Sequence, residues 1–188
     1  MNDELVARAR TGDEQALRLL YEGQRRRVLR LASALLGDND EAEDVMQDVL
    51  VYALTHLENY DPRRAKFSTW LHVLTVNRCR DRLRRRSTGW RRMADWLRTG
   101  PGVTVPGPED RAERLDAARR VEAGLRRLTP LQREALVLRD VEELSFSEMA
   151  QVLDVPLRTA QARVVSAHAA MRRALGEGTS SAVGDGDR

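Results

Sequence analysis

The chain has 188 residues, of which 41% are hydrophobic and 32% charged, a balance that permits packed cores but disfavours one large globule. The net charge of +3 does not by itself indicate nucleic acid, and the single cysteine, Cys79, excludes an intrachain disulfide and fits a reducing compartment. No apolar run resembles a signal peptide or is long enough to span a membrane, so we expect a cytoplasmic protein without membrane insertion.

The charges are distributed unevenly along the chain. From Leu31 to Pro62 there is no lysine or arginine, and the acidic residues are Asp38, Asp40, Glu41, Glu43, Asp44, Asp48, Glu58 and Asp61. From Arg63 to Arg92 the sign reverses, and Asp81 is the only acid among eleven basic residues. An acidic stretch followed at once by a basic one indicates two different partners.

Helical periodicity predicts an all-α fold. Asp13 is expected to cap a helix whose apolar residues recur at helical spacing: Ala16, Leu17, Leu20, Tyr21, Val28, Leu31, Ala32 and Leu35. After a turn at Gly37, an acidic helix is predicted to bury the stripe Val45, Val49, Tyr52 and Ala53 and to expose Asp44, Gln47 and Asp48. Pro62 interrupts the helical pattern, and a third helix is predicted from about Ser68 to Arg86.

Two segments have the composition of irregular chain. Residues 88–109 are predicted to form a flexible linker, because glycine and proline are concentrated in its second half. In its first half, the spacing of Trp90, Met93 and Leu97 permits one short amphipathic helix. Residues 176–188 are predicted to be a disordered tail.

The second module, residues 110–175, contains a helix-turn-helix pattern. Thr129 with Gln132, and Ser145 with Glu148, have the spacing of capping boxes that start helices. Between Leu144 and Val165, two helices are predicted around a tight turn at Asp154–Pro156, with the second helix lying in the DNA major groove. Its packed side is expected to include Leu157, Ala160 and Val164, and its outward side Arg158, Thr159, Gln161, Ala162, Arg163 and Ser166.

The predicted recognition helix carries little positive charge. Arg158 and Arg163 are the basic residues on its outward face, with Arg133, Arg139, Arg172 and Arg173 nearby. Free-standing DNA binders typically contact about 6–10 phosphates, so this helix alone should bind DNA weakly. The module therefore needs a second anchor, either a dimer partner or a larger assembly.

Taken together and in this order, the motifs "EAEDVMQDV", "FSTWL", "NRCRDRLRRR" and the helix-turn-helix resemble those of the extracytoplasmic-function (ECF) type sigma factors of the bacterial sigma-70 family. The resemblance runs from about Asp3 to Leu175. It implies a sigma region 2 domain at residues 1–87, which binds core RNA polymerase and recognises and melts the −10 element. It also implies a sigma region 4 domain at residues 110–175, which reads the duplex −35 element.

The resemblance assigns roles to individual residues. The helix matching Ala42–His56 would dock on a coiled coil of the largest polymerase subunit through Asp44, Gln47 and Asp48. The segment from Asn59 to Arg86 would hold single-stranded −10 DNA, with the candidates Tyr60, Arg64, Lys66, Phe67, Thr69, Trp70, Asn77, Arg80 and Arg84. Phe67 and Trp70 also have the spacing of core residues, and a core or mixed role is favoured for them. An anti-sigma factor is a further candidate partner.

The residues do not form a catalytic set. No cofactor and no metal site is expected, because the three histidines are far apart in sequence and Cys79 has no cysteine partner. We therefore expect a protein that is not an enzyme. Two other interpretations remain open: a dimeric helix-turn-helix regulator that binds DNA alone, and a protein-binding helical scaffold. Polymerase binding and −10 contacts would supply the anchor that the weakly charged recognition helix lacks.

Overall fold

The computed structural model describes residues 2–93, 120–121 and 123–180, and the regular elements in these ranges are helical. The first module contains α1 (Asn2–Arg10), α2 (Glu14–Leu36), α3 (Asn39–Thr55), a 3-10 turn (Leu57–Asn59) and α4 (Phe67–Met93). The second module contains helical residues 120–121 and 123–127, α5 (Pro130–Leu136), a π-helical turn (Val137–Val141), α6 (Phe146–Leu153) and α7 (Leu157–Ser180). The all-α prediction is confirmed.

The helices of the first module start and stop at the residues that local chemistry favours. The carboxylate of Asp13 accepts a hydrogen bond from the backbone N–H of Ala16 at 3.0 Å, as predicted for the N-cap of α2. The helix ends at Gly37, whose φ of 66° lies in the left-handed region that glycine adopts without a steric penalty from a Cβ atom. Asp38 then caps α3, so a sharp turn brings α2 and α3 together.

Both predicted capping boxes of the second module are present. The backbone N–H of Thr129 donates to the side chain of Gln132 at 3.1 Å, and the N–H of Gln132 donates back to the Thr129 hydroxyl at 3.3 Å. The same reciprocal pair joins Ser145 and Glu148. These boxes fix where α5 and α6 begin, and so fix the entry to the helix-turn-helix.

The core of the first module lies between α2, α3 and α4. The fully buried side chains that the three helices contribute include Leu20, Leu31, Val45, Leu50, Phe67, Leu71 and Val76. In α2, for example, the buried residues recur every three or four positions from Ala16 to Leu31, which gives the helix one buried side. This packing is the main source of the rigidity that positions the outward residues of α3 and α4.

Two helices extend beyond their predicted ends. Helix α4 continues to Met93, so its backbone includes the first residues of the predicted linker, among them Trp90, while Leu97 lies outside the described residues. Helix α7 continues to Ser180, into the predicted tail. Adding one residue to an existing helix costs little, because each added residue gains a backbone hydrogen bond, and this offsets the penalty of single glycines such as Gly89.

The two modules pack against each other. Helix α4 contacts α6, and α2 contacts both the π-helical turn and α5. None of the helices in the described ranges combines the length and apolar character needed to cross a membrane. The modules therefore meet along one side of α2 and α4, where Arg27, Arg30 and Arg80 of the first module pair with acids of the second.

Candidate nucleic-acid interface

The outward side of α3 is acidic. The side chains of Asp44 and Asp48 are 62% and 44% exposed, and Gln47 is exposed between them. Arg82 Nη2 lies 3.5 Å from Asp44, and Arg78 Nε lies 3.4 Å from Asp48. Pairs this exposed contribute little to stability, so the carboxylates can exchange their arginine partners for those of another protein.

Tyr52 belongs to this outward side and not to the buried stripe in which the sequence placed it. Its side chain is 42% exposed and stacks on His56 with ring centroids 4.5 Å apart, and Val51 beside it is 60% exposed. Tyr52 follows Asp48 by one helical turn, so the spacing 44, 48, 52 is the signal that could have placed it. With Asp48 and Arg78 it lines a cleft of about 180 Å³ between α3 and α4.

Three of the predicted −10 residues are enclosed in the core. Tyr60, Phe67 and Thr69 are each 3% exposed or less. The Phe67 ring packs edge-on against Tyr60, with centroids 5.3 Å apart, and Trp70 lies 5.5 Å from Tyr60. The Tyr60 hydroxyl donates to Asp3 at 3.2 Å, and burial raises the pKa of this phenol. In this structure only Trp70 of the three rings is partly accessible to a partner.

The polar −10 candidates lie on the outside of α4 and on the loop before it. Arg64 and Asn77 are exposed, and the ammonium of Lys66, 79% exposed, lies 3.3 Å from Glu148 of the second module. The guanidinium of Arg80 donates two hydrogen bonds of 2.8 Å to Glu134, also of the second module. Arg84 pairs with Asp81 on its own helix at 2.9 Å.

The helix-turn-helix has the expected packed seam with one exception. Met149 and Ala160 are fully buried and Val164 is 4% exposed, so small Ala160 allows α6 and α7 to approach closely. Leu157 was predicted to join this seam but is 47% exposed, because it is the first residue of α7 and lies beyond the end of α6. The turn is closed by Asp154, whose φ of 53° puts it in the left-handed region.

The predicted −35 residues form one continuous side of α7. Arg158, Gln161, Ala162 and Ser166 are exposed, while Thr159 and Arg163 are partly buried. The Ser166 hydroxyl accepts a hydrogen bond of 3.0 Å from the Gln132 side chain. Val165, 70% exposed, lies beside this side and was not predicted. An exposed valine is suited to contact the methyl group of thymine.

Two arginines near the recognition helix have structural partners instead of an open surface. Arg133 donates to the carbonyl of Leu125 at 2.8 Å and to that of Leu35 in the first module at 3.0 Å, and burial lowers its pKa. Arg139 donates to the carbonyl of Leu144 at 2.7 Å and lies over the Phe146 ring. The supply of phosphate-binding groups near α7 is therefore smaller than the sequence indicates.

Sequence reasoning did not find the buried ion cluster between the modules. Glu142, which follows the π-helical turn, has a fully buried side chain 2.9 Å from Arg27, 3.2 Å from Arg30 and 3.1 Å from the Nε2 atom of His72. Although burial acts to raise it, the hydrogen bonds from His72 and Arg27 lower the pKa of Glu142 to about 2. The partners are more than 69 residues apart in sequence, so no local pattern marks them.

Known protein families match both modules. Residues 20–89 match the family described as Sigma-70 region 2, and residues 118–171 match Sigma-70, region 4. The ECF RNA polymerase sigma factor SigM of Mycobacterium tuberculosis (strain Erdman) is 33% identical over 93% of this chain and 85% of its own length. SigW of Bacillus subtilis, another ECF sigma factor, is 26% identical over 90% of this chain and 94% of its own length.

Solved structures share the fold. CnrH, in complex with the cytosolic domain of CnrY, superposes with a TM-score of 0.67 at 25% identity, covering 92% of this chain and 96% of CnrH. The sigma factor RpoE from Bartonella quintana, in complex with the anti-sigma factor NepR, gives a TM-score of 0.65 at 21% identity, covering 87% of this chain and 96% of RpoE. Both alignments extend over most of the chain, and so over both helical modules.

Proposed function

The chain belongs to the ECF sigma factors of the sigma-70 family, and from this premise we propose how its exposed surfaces divide the work of promoter recognition. A sigma factor directs RNA polymerase to promoters. In our proposal, the outward side of α3 binds core polymerase, the basic side of α4 holds the −10 strand, and α7 reads the −35 duplex. The observation that carries the proposal is the pairing of an exposed acidic helix with a separate helix-turn-helix, since a dimeric regulator would need no such acidic surface.

The polymerase contact is proposed for Asp44, Gln47 and Asp48 together with the exposed apolar residues Val51 and Tyr52. Charged groups at the edge of an interface steer the encounter and fix its register, while buried aromatic residues contribute most of the binding energy. Tyr52 supplies the aromatic group that the acidic residues alone lack. The partner surface should be basic with an apolar centre, as expected of a coiled coil on the largest polymerase subunit.

The test is complex formation with purified bacterial core RNA polymerase. We expect Asp44→Arg combined with Asp48→Arg to weaken binding at least about tenfold, because two attractive contacts become repulsive. Affinity is measured by fluorescence anisotropy at fixed ionic strength. The matched control, Glu22→Arg with Glu58→Arg, makes the same change of net charge at exposed positions outside the five proposed contact residues, and should bind as the wild type does. Equal weakening by both pairs would contradict a localised acidic contact.

For the −10 element we propose a surface made of Arg64, Lys66, Trp70, Asn77, Arg80 and Arg84. A basic track with one accessible ring suits single-stranded DNA, whose phosphates need cations and whose unstacked bases need an aromatic face. Tyr60, Phe67 and Thr69 are left out because their side chains are enclosed. They support this surface from beneath.

For the −35 element we propose that Arg158, Thr159, Gln161, Ala162, Arg163 and Ser166 face the major groove. Replacing Arg158 with alanine is expected to weaken binding of the polymerase holoenzyme to promoter duplex about tenfold, since Arg158 is the exposed cation at the start of α7. Gel-shift titration measures the change. Arg172→Ala, an exposed arginine four turns further along the same helix, serves as control, and a larger loss there would contradict the assigned side.

The proposal extends to regulation and location. The protein acts as an initiation factor and not as an enzyme, and it works in the cytoplasm, where polymerase and promoter DNA are found. RpoE from Bartonella quintana was solved with an anti-sigma factor. By likeness of fold, we include an anti-sigma factor among the partners proposed for this chain.

A further inference from the structure

In the described part of the chain, the ion pairs found between the modules join acidic residues of the second module to basic residues of the first. The second module contributes Glu134, Glu142 and Glu148. The first module contributes the basic residues Arg27, Arg30, Lys66, His72 and Arg80. Three carboxylates thus lie along a basic surface, which is the charge pattern that a segment of nucleic-acid backbone would present.

Glu142 is the centre of this arrangement. Its carboxylate is fully buried and receives hydrogen bonds from both flanking arginines, while His72, 3% exposed, contacts it from the side of α4. The other ring nitrogen of His72 is buried without a hydrogen-bond partner in the described structure. A buried carboxylate held by three groups of the other module is costly to release unless another anion replaces it.

The backbone is shaped to deliver this side chain. The π-helical turn of residues 137–141 ends with the N–H of Glu142 bonded to the carbonyl of Val137 at 3.0 Å. The next residue, Glu143, has a φ of 55°, a left-handed conformation that is unfavourable for a glutamate. Both the π-helical turn and the positive φ of Glu143 have a cost in free energy. Together they direct the Glu142 side chain into the first module.

Two of the basic residues that pair with the second module, Arg80 and Lys66, also belong to the proposed −10 surface. Arg80 donates both of its hydrogen bonds to Glu134, in the bidentate geometry that guanidinium groups also use for phosphate. Lys66 is paired with Glu148 and is mostly exposed, so that pair contributes little by itself. Glu134 and Glu142 therefore carry the contact, and while they are in place Arg80 cannot hold a phosphate.

The docked arrangement is also too short for a promoter. The −10 and −35 elements are about 25 base pairs apart, roughly 85 Å at 3.4 Å per base pair. A compact unit of about 150 residues has a radius of gyration of only about 15 Å. The two modules must separate before both elements can be bound.

We propose that the second module inhibits the first by occupying its nucleic-acid surface, with Glu134 and Glu142 in the positions that backbone phosphates take when the modules separate. This assigns Arg27, Arg30 and His72 to that surface, beside the −10 residues named above. The proposal rests on the sigma-factor function of the chain. It predicts that the free protein is closed and binds single-stranded DNA poorly.

The acidic half of the contact provides the first test. Glu134→Gln with Glu142→Gln, made in the full chain, should raise the radius of gyration in small-angle X-ray scattering. It should also raise affinity for a short fluorescein-labelled single strand of random sequence about tenfold or more. A random strand is suitable because the phosphate contribution does not depend on sequence. Glu143→Gln, an exposed neighbour of Glu142, is the matched control and should change neither quantity.

The basic residues of the contact provide the second test, which separates opening of the modules from loss of phosphate contacts. Arg27→Gln with Arg30→Gln removes two partners of Glu142 and should open the protein as the acidic variant does. Because these arginines are also assigned to phosphate, the opened variant should bind the strand less tightly than the opened acidic variant. The slope of log affinity against log salt should fall by about 0.7 for each lost contact. Opening alone, without loss of the phosphate groups, cannot produce this difference.

Unchanged radius and unchanged affinity in the acidic variant would overturn the inhibitory contact, and opening without tighter DNA binding would overturn the shared surface. Equal gains of affinity in the acidic and basic variants would remove Arg27 and Arg30 from it. Circular dichroism checks folding, and the single variants Glu134→Gln and Glu142→Gln repeat the test if the pair does not fold. Core polymerase binding by the wild type is measured separately, so the sigma-factor function can stand even where this contact fails.

Discussion

Replacing Phe67 with alanine is expected to lower the free energy of unfolding of the chain by about 3–5 kcal/mol. The ring is 1% exposed at the start of α4, packs edge-on against Tyr60 and lies 5.8 Å from Trp70, so its removal leaves a cavity that these rings cannot fill. Urea unfolding followed by circular dichroism measures the loss. The change should be far larger than that for most surface substitutions.

Two companion variants show whether the ring is a core residue or a DNA contact. Phe67→Leu keeps a large apolar side chain, although a smaller one without the ring, and should cost clearly less than Phe67→Ala. Trp70→Ala, at a partly exposed position, should cost less stability than Phe67→Ala but should impair promoter opening by the assembled holoenzyme. A stable Phe67→Ala protein with a specific defect in promoter opening would instead place the Phe67 ring on DNA.

Acidification is expected to release the second module from the first, with a loss of docking free energy of about 3 kcal/mol attributable to Glu142. The pKa of Glu142 is about 2 in the docked structure, against an ordinary value of 4.5. A group whose pKa is lowered by docking stabilises the docked state in full above its ordinary pKa, and this contribution disappears as the pH falls towards the lowered value. The relevant window is therefore from about pH 4.5 to about pH 2.

The measurement is the distance between fluorophores placed one on each module, followed by energy transfer across that pH range. Other carboxylates also titrate there, so the informative quantity is the difference between the wild type and Glu142→Gln. The wild type should be more closed at pH 7, and the two proteins should converge near pH 2. Parallel curves for the two proteins would show that Glu142 does not hold the modules together.

Elements governed by neighbouring residues could be predicted from the sequence. The N-cap at Asp13, both capping boxes and the turn at Asp154 depend on contacts within about four residues, and all lie where the pattern puts them. The ends of α4 and α7 could not be predicted as well. Composition marks where a helix is disfavoured, but an existing helix extends through single glycines at small cost.

Residues at the edge of an apolar stripe were harder to place. Tyr52 has the spacing of its buried neighbours Val45 and Val49 but emerges next to Asp48, because a stripe on a helix is narrower than the set of residues that fit it. Phe67 posed the opposite problem, since a motif that implies DNA contact also fits the core. Only tertiary packing decides such cases.

The contact between the modules had no sequence signal. Glu142 and its arginine partners on α2 are separated by more than 110 residues, and each looks like an ordinary charged surface residue in its own segment. Arg133 and Arg139 likewise appear as cations available to DNA, although both donate to backbone carbonyls. Counting charges along the sequence therefore overstated the positive potential near α7. It also did not show that basic residues on α2 and α4 are neutralised by carboxylates of the second module.

The carboxylates and the basic residues that join the two modules belong to the same polypeptide, so closing of the modules is a unimolecular event. Diluting the protein, or making more of it, leaves the closed fraction unchanged, in contrast to an inhibitor that must be found in solution. Salt, in contrast, lowers the closed fraction, because it screens the partly exposed ion pairs that Lys66 and Arg80 make with the second module. The abundance of the protein would then set how many copies are ready for polymerase, while the ionic conditions of the cell would set what share of them is open.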